Sequence, residues 1–81
     1  MLEVKLYIND NETITKKIVS SVCDELNISC EIVNNSRAVP EMEVVYNNDI
    51  NATYQGRLSR AEVISKLQHF VDIWGANNVK T

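Results

Sequence analysis

Glycine, proline, histidine and aromatic residues are all scarce in these 81 residues: two glycines, one proline, one histidine and 6% aromatic content. The glycines, Gly56 and Gly75, stand apart, which excludes a glycine-rich phosphate loop. With one histidine, His69, no Ser-His-Asp arrangement can be argued. A zinc site of Cys23, Cys30 and His69 lacks a fourth ligand at a recognisable spacing, so neither a metal nor a cofactor is expected. No apolar run approaches the ~20 residues of a membrane-spanning helix. Positive charge is also short. Eight Lys and Arg, spread along the chain, face eleven Asp and Glu, for a net charge of −3. Clustered basic residues are what a phosphate backbone requires, so no nucleic-acid partner is expected.

The first residues, Met1-Leu2-Glu3-Val4-Lys5, alternate apolar and charged and lack the basic-then-apolar order of a secretory signal. Two cysteines in such a context point to free thiols in a reducing cytoplasm. Asn-X-Ser/Thr triplets begin at Asn11, Asn27, Asn34 and Asn51, which chance explains in a chain this rich in asparagine. What is present is an ordinary globular balance, 44% hydrophobic and 23% charged, in a length that makes one domain. That domain is expected over residues 1–75, with 76–81 a flexible tail.

Leu2, Val4, Leu6 and Ile8 alternate with Glu3, Lys5 and Tyr7, which predicts a half-buried strand. Asn9 and Glu12 have capping-box spacing before a predicted helix from Thr13 to Leu26. Its apolar ridges, Ile14-Ile18-Val22 and Val19-Cys23-Leu26, predict a wide buried stripe, and Asn27 suits a left-handed cap. A second strand places Ile28, Cys30 and Ile32 inward. After a polar loop at 34–38, Pro40 opens a third strand with Met42, Val44 and Tyr46 inward. Asn47-Asn48-Asp49 predicts a hairpin turn, and Ala52–Arg57 its second arm. Ser59 and Glu62 form a second capping box, followed by Val63, Ile64, Leu67, Phe70, Val71 and Trp74 at helical spacing. Phe70 and Trp74 are expected in the core, Trp74 being the more exposed of the two because the helix ends there, and His69 is expected in solvent.

The order β-α-β-β-β-α implies a two-layer α/β sandwich: a mixed four-stranded sheet with both helices on one face. Glu3, Lys5, Tyr7, Ser29, Glu31, Glu43, Val45, Thr53 and Gln55 would line an open polar face.

The stretch Ala38-Val39-Pro40-Glu41-Met42-Glu43-Val44-Val45, followed by Gly56-Arg57-Leu58-Ser59-Arg60-Ala61-Glu62, resembles the thioredoxin/glutaredoxin family over roughly residues 2 to 74. In that family a cis proline starts the third strand, and a glycine shortly before a capped serine opens the closing helix. The resemblance implies a cis bond at Pro40. It also implies partner binding by strand addition at the backbone of Val39, with Asp10, Asn11 and Arg37 rimming the groove. Redox members carry cysteine between the first strand and first helix, where the helix N-terminus stabilises a thiolate. Here that segment is Asn9-Asp10-Asn11-Glu12-Thr13, and the redox motif is absent.

The expected function is therefore a non-catalytic protein-interaction module, binding a protein partner or a second copy of itself. The face around Tyr7 and Val45 is a further possible surface. The alternative is a thiol–disulfide protein, glutaredoxin-like, with Cys23 and Cys30 acting outside the usual site. Against it stands the ordinary reading of both thiols as small core hydrophobes.

Overall fold

Strand β1, Leu2–Ile8, alternates without a break between buried and half-exposed side chains. Its inward residues Leu2, Val4, Leu6 and Ile8 are nearly inaccessible, and each contributes about 1.5–3 kcal/mol by leaving water. The computed structural model describes residues 1–35 and 38–75. Among these follow α1 (Thr13–Glu25), β2 (Ser29–Asn34), β3 (Glu41–Tyr46), β4 (Asp49–Gln55) and α2 (Arg60–Trp74). The expected tail and Arg37 lie outside the described residues.

The sheet order is β2-β1-β3-β4, with β1 parallel to β2 and antiparallel to β3, and β4 antiparallel to β3. The expected mixed four-stranded arrangement is therefore present. Register fixes the faces. Cys30, Val4, Val44 and Ala52 form one inward row, and Ile32, Leu6, Met42 and Tyr54 the next. Val19, Val22 and Cys23 of α1 and Val63, Leu67 and Phe70 of α2 join the same core, so both helices cover one face. The polar row Glu31, Lys5, Glu43 and Thr53 lies on the other.

Turn chemistry behaves as its residues require. Asn27, Asn47 and Asn48 all take positive φ, where an asparagine is tolerated and a branched residue is not. Leu26 caps α1 as Asn27 turns the chain, and Asn47 and Asn48 close the β3–β4 hairpin. At the foot of the sheet Tyr46 stacks on Trp74 with centroids 4.4 Å apart, and Phe70 on Trp74 at 5.6 Å. This stack fastens the end of α2 to the end of β3; Phe70 is buried as expected, while Trp74, expected in the core, is half-buried where the helix ends.

Several expectations need correction. No peptide bond among the described residues is cis, so the Val39–Pro40 bond is trans. Pro40 is fully buried, and its carbonyl accepts the Gly56 N–H at 2.8 Å, extending the β3–β4 ladder by one step. An extended trans proline fits that continuation, and trans is the intrinsic preference of the bond. Ile14 is 75% exposed rather than buried, and Thr15 takes the inward place instead. Strand β4 begins at Asp49, earlier than Ala52, because a bulge absorbs Asn51: Val44 faces Ala52 while Val45 faces Ile50. Val45, expected to meet water, is 4% exposed between Glu3 and Ile50 in its row.

Candidate functional site

Three chain segments converge at the end of the sheet where β1 and β2 finish. The first links β1 to α1. Asn9 Oδ1 accepts the Asn11 N–H at 2.9 Å, and the Asn9 carbonyl accepts the Glu12 N–H at 3.2 Å. These bonds make a tight turn that ends at Glu12, the N-cap residue of α1. The predicted Asn9–Glu12 capping box does not form. The Glu12 carboxylate leaves the helix end and turns inward, where Thr15 Oγ1 donates to Oε1 at 3.2 Å.

The second segment follows β4. Gly56 holds φ at +104°, a value that side chains avoid, and this turn directs Arg57 toward Glu12. Arg57 Nε donates to Glu12 Oε1 at 3.1 Å, and its Nη2 pairs with Oε2. Glu12 keeps only 8% side-chain exposure and Arg57 keeps 61%, so a buried carboxylate is neutralised by a guanidinium that remains largely in water. Both carboxylate oxygens are engaged. It ties the β1–α1 turn to the segment entering α2.

The third segment is Ala38-Val39-Pro40. The Gly56–Pro40 bond places it beside the second. Val39 is 46% exposed, and no backbone hydrogen bond joins it to another described residue. Pro40, buried, positions this backbone but offers no surface of its own.

Between α1 and the Arg57-Leu58 segment runs a groove of about 370 Å³, floored by Ile14, Ile18 and Leu58 and rimmed by Asn11, Thr13 and Arg57. A second, polar groove of about 530 Å³ lies around Asn9, Asp10, Asn11, Asn34 and Asn35. Of the partner-binding residues expected from the sequence, Asp10, Asn11, Val39 and Pro40 all fall at this end. Arg37 lies outside the described residues. Ile14, Leu58, Glu12 and Arg57 were not anticipated. The signal for Ile14 was its place one turn ahead of the better-covered Ile18. For Glu12 and Arg57 it was an acid and a base that the topology brings to one end.

The alternative pair is also brought together. Cys23 on α1 is 1% exposed, while Cys30 on β2 is half-buried. Among the described residues no group of three metal-ligating side chains occurs, and no helix is long and apolar enough to cross a membrane. No protein-family model matches the chain, and no curated protein is significantly similar to it.

Proposed function

We propose that this protein is a non-catalytic, thioredoxin-like interaction module that binds an extended segment of a partner protein at the end of the sheet. The partner strand pairs its main chain with Val39 and lays an apolar side chain on Ile14, Ile18 and Leu58. With the proline bond trans, the family's cis device lends no support. One observation carries the reading: Ile14, exposed at 75%, lines an open groove beside Arg57, and Val39, tied to that segment through the Gly56–Pro40 bond, has no backbone hydrogen bond to another described residue. A large side chain exposed at a groove floor gains from being covered, and unpaired amides gain from a strand.

The alternative of an enzyme that turns over disulfide substrates is less well supported, because Cys23 offers almost no surface to a second molecule.

Selection from a displayed random-peptide library tests the proposal. Enriched peptides are expected to be extended, with at least one bulky apolar residue. Ile14→Asp, at an exposed position that leaves folding intact, is expected to weaken them by roughly tenfold or more. Equal binding to the wild type and to this variant would place recognition elsewhere.

A further inference from the structure

Cys23 and Cys30 lie outside the docking groove and take no part in it. Cys23 faces the sheet from the last turns of α1, and Cys30 stands opposite Val4 on β2, an edge strand. The connection between them is short. The Ile28 N–H donates to the Cys23 carbonyl at 2.8 Å, so strand and helix end are drawn together at that point. Cys30 packs against the core cluster that contains Cys23, and Cys23 and Ser20, one turn apart on α1, both bear on the Cys30 thiol.

We infer that Cys23 and Cys30 form a reversible oxidation site, in which Cys30 is the thiol attacked by a hydroperoxide and Cys23 resolves it to an intramolecular disulfide. The assignment of roles follows from access. Cys30 is half-buried at a sheet edge and can be reached, whereas Cys23 is sealed in the core. The electrostatics agree. Donation from Cys23, opposed in part by burial and helped by Ser20, lowers the Cys30 thiol below its usual range. Cys23 is driven the other way, by its bond to Cys30 and by burial, and keeps its proton.

The chemistry balances within this pair. The Cys30 thiolate attacks one peroxide oxygen, an S–O bond forms, the O–O bond breaks, and the departing alkoxide or hydroxide takes up a proton. Cys30 is then a sulfenic acid. The Cys23 sulfur attacks Cys30 and its proton passes to the sulfenic oxygen, so the S–S bond forms as water leaves. The two sulfurs give up two electrons, which reduce the peroxide to water and alcohol. A dithiol reverses the step by exchange and is itself oxidised. In the closed form α1 is bolted to the edge strand, and β2 is held against the helix layer.

Intact-mass analysis and peptide mapping of the reduced native protein after equimolar hydrogen peroxide test this. The wild type is expected to lose two hydrogens, to give one cross-linked peptide carrying both cysteines, and to recover both thiols with dithiothreitol. Cys23→Ser is expected to stop at Cys30 sulfenic acid, trapped by dimedone. Ser20→Ala is expected to keep the fold and slow Cys30 oxidation several-fold. Two intact thiols that react only in denaturant, or a disulfide between molecules through Cys30, would overturn the assignment. The wild-type result decides even where the serine variant folds poorly.

Discussion

Glu12 and Arg57 make an unequal pair, and the inequality is measurable. Removing the guanidinium leaves a carboxylate that is largely buried in the intact protein with the Thr15 hydroxyl as its remaining side-chain partner among the described residues, whereas removing the carboxylate leaves an arginine that water already reaches. Arg57→Ala is therefore expected to cost about 1–3 kcal/mol, and Glu12→Gln distinctly less. Urea unfolding of both variants checks the order, and equal losses would contradict it. At Gly56 a methyl group meets nothing within 4 Å, so Gly56→Ala isolates the strain of φ +104°. A loss of about 1–2 kcal/mol is expected from backbone alone. Residue-scale features were the least readable in the sequence. Glu12 has the spacing of a capping partner, and nothing local shows that an arginine 45 positions later captures its carboxylate. Ile14 keeps helical register with Ile18, yet in the first turn of α1 it is 75% exposed, so register alone misjudged its burial.

At the level of elements, periodicity and caps carried most of the information. Ser59 accepts the Glu62 N–H and the Glu62 carboxylate accepts the Ser59 N–H, so the box read from Ser-X-X-Glu is formed at both ends. Ser59→Ala is expected to cost about 1 kcal/mol, measured as a lowered midpoint of unfolding. The bond to the Ser59 backbone, followed by that to its side chain, holds the Glu62 carboxyl below its ordinary range. A depressed folded value means the contribution is complete above the usual glutamate pKa of about 4.3 and is lost as pH falls through the folded value. The stability gap between wild type and Glu62→Gln should accordingly close on acidification, and a gap that widens would contradict the box. Strand ends were harder to read than helix ends. The early start of β4 depends on a bulge at Asn51, which answers to pairing with β3 and leaves no local mark.

Taken as a whole, the molecule places its helices on one side of a four-stranded sheet and its three converging segments at one end. That arrangement was legible because a strand, a helix and a parallel strand in succession leave few ways to bury one apolar face. The conformation of Pro40 was not legible, since either isomer suits a proline at a strand's start and the Gly56 bond belongs to the folded state. The central claim is that the Val39 segment and the Ile14 groove act together as one docking edge. Backbone amide shifts, followed by NMR as a library-selected peptide is titrated into the native protein, test it most directly. The account predicts the largest changes at Val39, Ile14, Arg57 and Leu58, with little change at Lys5, Glu31 or Glu43. Changes centred on that outer sheet face, with Val39 and Ile14 unmoved, would contradict it.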